Sequence, residues 1–358
     1  MVCVLAIDAC RELKKTPLYR RLHSRHGHEI SAFSACEPQL RRALLERVWQ
    51  TRPEVIMWSG YTNPIVCGAM AQLAPVPIPW VLHAETSDHL LRSSHWKGLA
   101  RDLCLRALYT RTSALAFIGQ RSQRHFQRLG VPPRKQFFAP FPMDTDLFEP
   151  DEADRTRLRR SCRSELQVPE RRALLLSVGE LSQHKDPARI VYALRSLPTL
   201  LRMRITLAFL GGGELAPELA QLAAAEPRVD VRWIGDKTHA ERSAYYHAAD
   251  ALVLSSRCAE AWGAVVHEAL HHGTPCIVSH QVGCAPDLIV PGQTGEIFEA
   301  GNTESLVRAM ERIWPRLGTR DCRDQARAQS ASFGLDAAVS GVAAAIDYAV
   351  RGRTFAFR

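Results

Sequence analysis

The chain has no CxxC pair, no GxGxxG fingerprint and no apolar run approaching the roughly 20 residues of a membrane-spanning helix. Its ten cysteines stand singly, at Cys3, Cys10, Cys36, Cys67, Cys104, Cys162, Cys258, Cys276, Cys284 and Cys322. That spread spells neither a disulfide framework nor a zinc site, and buried free thiols are expected. His267, His271 and His272 have metal-like spacing but no acid or thiol at a matching interval, so they are expected on a helix surface and no metal site is assigned. Aromatic residues are 7% of the chain and are not interleaved with its basic residues, and no reader helix is recognisable, so no nucleic-acid partner is expected. The start, MVCVLAIDACRELKK, places its apolar segment ahead of its charges and breaks it at Asp8. This is unlike a secretory signal, and the expected location is the cytoplasm.

What is present is a globular composition of 46% hydrophobic residues in 358, enough for two domains with separate cores. The net charge of +9 is unevenly shared: between Arg92 and Lys135 ten Lys or Arg face a single acid, Asp102. A basic face of that kind fits a polyanionic partner, an anionic membrane surface or nucleic acid, and equally a solvated Arg-rich helix. Of the partners, peripheral attachment to a membrane through residues 92–135 is the expectation carried forward.

Short apolar runs alternate with helix-spaced segments along the chain. Val2 to Ile7, His28 to Phe33, Val55 to Trp58, Trp80 to Leu82, Ala114 to Ile118 and Gln136 to Ala139 read as the strands of one doubly wound domain. Residues 150–170 are charged and proline-terminated, and read as a linker. A second series follows, through Ala173 to Val178, Ile205 to Leu210, Val229 to Ile234, Ala251 to Leu254 and Cys276 to Val278. The expected architecture is α/β, with domains at 1–160 and 161–335 and a terminal helix at 336–358 packing back on the first domain. Ligands favour the cleft between two such domains.

The unit from 250 to 279 carries chemistry. Glu260 lies in the loop after an apolar strand and Glu268 lies inside the helix that follows. Both can face the crevice at the carboxyl ends of the strands. Gly263 lets a ligand approach the helix start, where free N–H groups favour phosphate. Two Glu eight apart are also compatible with a solvated helix face, and only the surrounding chain decides between these readings.

That chain resembles the family 4 retaining glycosyltransferases, which have the GT-B fold of two Rossmann-like domains facing a central cleft. The resemblance is carried by LLLSVGELSQHKDPARIVYAL, LAFLGGGELAPELAQLA, WIGDKTHAERSAYYHAADALVLSS, EAWGAVVHEALHHGTPCIVS with its E-x7-E element, and VGCAPDLIVPGQTGEIFEAGNTESL, in that order. In the first domain it is thinner. FPMDTDLFEP resembles the family's interdomain hinge, and TPLYRRLHSRHGHEISAF resembles a branch lacking the usual glycine pair after the first strand.

The resemblance implies roles residue by residue. Glu268 would hold the donor's ribose hydroxyls and Glu260 those of the transferred sugar, jobs that suit ionised carboxylates. Backbone groups of Gly263, Ala264 and Val265 would support sugar and diphosphate, Lys185 would place positive charge on the diphosphate, and His83 would face the sugar. Gly179, Gly211 and Gly283 would line the donor side. Glu180 departs from the pattern, since the family carries Arg there. Two like charges about 4 Å apart repel by about 4 kcal/mol at an effective dielectric near 20. Glu180 is therefore expected to turn away or to pair with a neighbour such as His184.

The implied reaction moves a sugar from a nucleotide diphosphate donor to a hydroxyl of a glycan or lipid-linked acceptor, with retention, in polysaccharide biosynthesis, with no metal or other cofactor. The alternative is a catalytically weak or inactive protein that binds nucleotide sugar or glycan. A nicotinamide-dependent enzyme lacks its site in this sequence.

Overall fold

Apolar strands buried on both faces, separated by helices, define the computed structural model of the protein, which describes residues 2–8, 17–34, 40–61, 63–88, 95–143, 148 and 152–356. Two compact units divide the chain: Met1–Asp144 with Phe333–Arg358, and Thr145–Ser332.

Unit 1 contains β1 (Cys3–Asp8), α1 (Pro17–His26), β2 (Glu29–Ser34), α2 (Leu40–Thr51), β3 (Val55–Ser59), α3 (Pro64–Leu73), β4 (Trp80–Ala84), α4 (His95–Arg111), β5 (Ala114–Phe117), α5 (Gln120–Arg128) and β6 (Gln136–Phe138). Its sheet is parallel in the order β2-β1-β3-β4-β5-β6. Alternation along the strands sorts the core. Val4, Ala6, Val55, Met57 and Val81 pack on one face, and Leu5, Ile7, Ile56, Trp58 and Leu82 on the other. Trp58 and Trp80 meet edge to face at 5.2 Å on that second face.

Unit 2 contains α6 (Glu152–Glu165), β7 (Ala173–Val178), α7 (Ala188–Ser196), α8 (Thr199–Arg202), β8 (Ile205–Leu210), α9 (Ala216–Ala224), β9 (Asp230–Gly235), α10 (His239–Ala248), β10 (Ala251–Leu254), α11 (Ala264–His271), β11 (Cys276–Ser279), α12 (Ala285–Leu288), β12 (Gly295–Phe298), α13 (Thr303–Ile313) and α14 (Arg320–Ser332). Its parallel sheet has the order β12-β11-β10-β7-β8-β9. The last helix, α15 (Leu335–Ala356), belongs to unit 1. Its Leu335, Ala338, Val339, Val342 and Ile346 fill the face of the sheet that carries Val4 and Met57.

Several expectations change. The linker placed at 150–170 is largely α6, so the units part at 144/145 rather than 160/161. Two of the charges of α6, Arg159 and Arg163, are structural pins. Arg163, almost wholly buried, donates to Asp250 Oδ2 at 3.1 Å and to the Pro169 carbonyl at 2.8 Å, and Arg159 donates to Asp250 Oδ1 at 2.9 Å. Asp250 in turn accepts the Leu174 N–H at 2.8 Å, tying α6 to the start of β7. His267 and His272 are buried rather than on a helix surface, and His271 is half-buried. Burial lowers His267 to about 4 and His272 to about 3, so both are neutral packing groups. Among the described residues Cys162, Cys276, Cys284 and Cys322 are buried free thiols, but Cys67, Cys104 and Cys258 are exposed. The stretch Arg320–Gly352 is long and apolar enough by composition to cross a membrane, contrary to expectation. Within it, α15 buries its apolar residues on the unit 1 sheet.

Candidate functional site

Strand order in unit 2 reverses between β7 and β10, and the expected donor residues gather at the carboxyl ends of these strands. Gly179 ends β7 and Gly211 ends β8, with φ of +130° and +136°. A Cβ on Gly211 would stand 2.1 Å from the Gly179 carbonyl oxygen, so the close approach of the two turns requires glycine there. The next turn is closed by the Lys185 N–H donating to the Ser182 carbonyl at 3.1 Å. It brings the Lys185 ammonium to 2.7 Å from Glu260 Oε1.

Glu260 is held from several directions. The Ser256 hydroxyl donates to the same carboxylate oxygen. Its backbone N–H donates to the Gln281 carbonyl at 3.0 Å. Gly283 lies beneath this loop, where a Cβ would come within 2.0 Å of the Ala261 carbonyl oxygen. Gly263, at φ +96°, turns the chain into α11, whose first-turn N–H groups at Ala264 and Val265 have no intrahelical acceptor.

Glu268, buried in α11, accepts the Tyr246 O–H on Oε2 at 2.6 Å, and its Oε1 lies 3.6 Å from His239 Nδ1. Burial and then the Glu268 charge push the Tyr246 phenol well up, so it stays a donor. Tyr246, Ser256 and His239 escaped sequence reasoning. They stand within the WIGDKTHAERSAYYHAADALVLSS stretch, which gave order but no roles.

Glu180 is exposed, and among the described residues it makes no ion pair with His184, so that pairing is not formed. His184 is itself exposed and uses its carbonyl to accept the Arg257 N–H at 2.8 Å. Two solvated side chains gain little by pairing.

His83 belongs to unit 1. It is half-buried at the end of β4, and its Nε2 lies 3.1 Å from the Ala139 carbonyl oxygen. Burial lowers its pKa against the raising effect of that bond, so a neutral ring donates through Nε2 and leaves Nδ1 to accept. The stretch after β1 and most of FPMDTDLFEP lie outside the described residues.

The basic window is partly spent inside the fold. Arg111 donates to the carbonyls of Ala74, Val76 and Ile78, Lys135 to that of Thr112, and Arg101 and Arg128 pair with Asp102. Arg106, Arg124 and Arg134 are exposed, as are Leu99 and Leu103 on α4. Arg92 and the side chain of Lys97 lie outside the described residues. A cavity of about 750 Å³ at the amino end of β9, lined by Arg172, Asp230 and Trp233 among others, holds none of the expected site residues. Among the described residues no three His, Cys, Asp or Glu side chains gather as a metal site.

Comparison with known proteins places this geometry. The model of the glycosyl transferases group 1 matches residues 159–319, and that of the glycosyl transferase 4-like domain matches residues 6–142. The chain is 33% identical over 217 residues to a D-inositol 3-phosphate glycosyltransferase of Streptomyces griseus, covering 58% of this chain and 45% of the relative. A similar relative in Salinispora arenicola is 30% identical, with 56% and 46% covered. The chain thus spans about half the length of these curated relatives. A GDP-mannose-dependent alpha-(1-6)-phosphatidylinositol monomannoside mannosyltransferase of Mycobacterium tuberculosis is 26% identical over 77% of this chain and 69% of the relative. Among solved structures, HepE of Anabaena in complex with UDP superposes with a TM-score of 0.72 at 17% identity, over 96% of this chain and 98% of that one. The sucrose-phosphate synthase of Thermosynechococcus elongatus gives 0.72 at 17% identity over the whole of both chains. With its two units matched in order by these two models, and with both sheets superposable on such structures, the chain belongs to the glycosyl transferases group 1 and has the GT-B fold.

Proposed function

We propose that the protein transfers a sugar from a nucleoside diphosphate donor to a hydroxyl of a glycan or lipid-linked acceptor, with retention of configuration. The observation that carries this reading is the Lys185–Glu260 ion pair set at the strand reversal of unit 2, beside the glycine turns at Gly179 and Gly211. An ammonium has three donors. While one stays on Glu260, another can reach a phosphate oxygen, so sugar-binding and leaving-group charge are coupled through one side chain. The N–H groups of Ala264 and Val265 add positive potential where the leaving diphosphate gains charge. Glu268, already fixed by Tyr246, takes the ribose hydroxyls. These residues supply the charge in the proposed reaction without a cofactor, which an assay insensitive to chelator checks.

The test is a thermal-shift panel of UDP-, GDP- and ADP-sugars followed by turnover. A cognate donor at a hundred times its Kd adds about 2.7 kcal/mol. No shift with any donor, and no nucleoside diphosphate release, would sink the reading. The activities of the relatives, on D-inositol 3-phosphate and phosphatidylinositol monomannoside, support an acceptor at a membrane or on a polyol. The reading therefore extends to a cytoplasmic enzyme attached peripherally through α4, with exposed Leu99 and Leu103 entering the headgroup layer beside Arg106. Leu99→Asp with Leu103→Asp should abolish co-sedimentation with anionic vesicles at low salt; unchanged binding refutes the attachment.

A further inference from the structure

The cavity of about 750 Å³ beside β9 takes no part in the proposed function. Its size is that of a small-ligand site, about 300–1,000 Å³. β9 is the edge strand of the unit 2 sheet, two strands from β7 and the reversal that carries the donor residues. Register sets Trp233 of β9 beside Phe209 of β8, and the two rings lie stacked, 5.1 Å apart at 16°. Phe209 is fully buried, so one indole face is fixed against the core. Among the described residues no strand pairs with the outer side of β9, and Trp233 is 44% exposed where it lines the cavity. Its other face is therefore open to whatever the cavity holds. Ala220, Ala223 and Ala224 of α9 line the helix side, and their small side chains leave room beside the indole for a six-membered ring.

The polar side of the lining has more donors than it uses. Arg172 donates through Nη1 to Asp230 Oδ2 at 2.5 Å, the one side-chain bond it makes among the described residues, and a guanidinium has five N–H groups. Arg232 pairs with the other Asp230 oxygen, and the Thr206 hydroxyl donates to the first at 2.7 Å. That carboxylate is thus satisfied and its charge matched. Arg228 is exposed and makes no ion pair among the described residues. The cavity therefore combines an open aromatic face, spare guanidinium donors and a net positive charge. A pyranose bearing a carboxylate matches each part. The polarised C–H groups of its flatter face suit the electron-rich face of an indole. A planar guanidinium receives a carboxylate bidentately. A neutral ring would leave those donors unused.

We propose that this cavity is a second saccharide site, which binds an acidic glycan chain through Trp233 and Arg228 and holds it apart from the donor residues. A chain tethered there stays at high effective concentration between transfers. The choice of a saccharide over a nucleotide, which also stacks on an indole, rests on the glycosyltransferase reading above. Binding measured without donor or turnover keeps the two failures distinct.

Biolayer interferometry of the full chain on immobilised alginate, polygalacturonate and hyaluronan, with dextran and mannan as neutral chains, reads this binding in the absence of donor. The wild type is expected to bind at least one acidic chain and neither neutral one. Trp233→Ala, which leaves the charge unchanged, should raise that Kd about 5- to 30-fold, and Trp233→Phe, which keeps a stacking ring, should recover most of the affinity. Arg228→Ala should raise it about 3- to 10-fold. Lys185→Ala should leave it unchanged, and Trp233→Ala should leave the thermal shifts caused by nucleotide sugars unchanged. Binding that survives Trp233→Ala is general attraction to a basic protein and overturns the site, as does a wild type that binds none of the acidic chains. Binding lost in Lys185→Ala puts the glycan at the donor residues and overturns it too. Nucleotide-sugar shifts lost in Trp233→Ala assign the cavity to a nucleotide instead. A wild type that responds to no nucleotide sugar yet binds an acidic chain through Trp233 sinks the glycosyltransferase reading and leaves the site standing.

Discussion

The two sheets share one plan and spend it differently. Each is six-stranded and parallel, and each reverses its strand order once, at β1/β3 in unit 1 and at β7/β10 in unit 2. Unit 2 equips its reversal with glycine turns and formal charge: Gly179, Gly211, Lys185 and Glu260. In unit 1 the loop leaving β3 is tied inward instead, the Tyr61 hydroxyl lying 2.9 Å from that of Tyr109, which lies 2.8 Å from Nε2 of the buried His125. A charged partner such as a diphosphate needs fixed opposite charge. Under the proposed function, the charged reversal of unit 2 suits the diphosphate donor.

Changes confined to unit 2 should damage donor use and leave the unit 1 crevice alone. The largest is Lys185→Ala, expected to lower donor turnover by about 100-fold or more, since it removes the charge on the leaving group and strips Glu260 of its ion pair. A harmless Lys185→Ala would erase the contrast drawn between the units. Arg163→Ala comes next. With Arg159 still on Asp250, it should cost about 2–3 kcal/mol, read as a lower urea midpoint. Acid should act on unit 2 through His267 and His272. Their folded pKa values lie below the ordinary histidine value, so the unfolded chain binds protons first and stability falls as pH drops below about 6.5. The slope per group is about 1.4 kcal/mol per pH unit until its folded value near 4 or 3 is reached. Denaturation midpoints at pH 7 and pH 5 check this; a flat response would show that these histidines are not neutral by burial. Tyr246→Phe should raise donor KM about 3- to 10-fold without lowering acceptor affinity, because Glu268 loses one hydrogen bond. Smallest is Glu180→Arg. Since Glu180 is exposed, the change should lower donor KM by no more than about threefold.

Legibility in the sequence followed locality. Glu260, Gly263 and Glu268 stand out from the strand, loop and helix pattern itself, whereas Gly179, Lys185, Gly211 and Gly283 are expected at the donor only through the resemblance of the ordered segments that carry them. The structure brings them together. Tyr246 could not be picked out, because a tyrosine at helical spacing reads as core until its hydroxyl is seen on Glu268. Asp88, Tyr109 and His125, linked by two hydrogen bonds of 2.8 Å through the His125 ring, come from three separate segments, and no spacing rule joins them. The α6 error has the same origin: a run of arginines looks solvated until Asp250, nearly ninety residues later, is known to accept two of them.

The placement of α15 also has a consequence for how the chain is made. Unit 2 is contiguous and can complete its core as soon as residue 332 has been synthesised. Unit 1, though begun first, has one sheet face covered only in part, by Leu18, Tyr19 and Leu22 of α1, until Leu335 to Ile346 arrive. At about 5–20 residues per second that wait lasts on the order of 10–40 s. During it the apolar row of Val4, Ala6, Val55 and Met57 is open to a chaperone or to another nascent chain, and the half synthesised first becomes the half finished last.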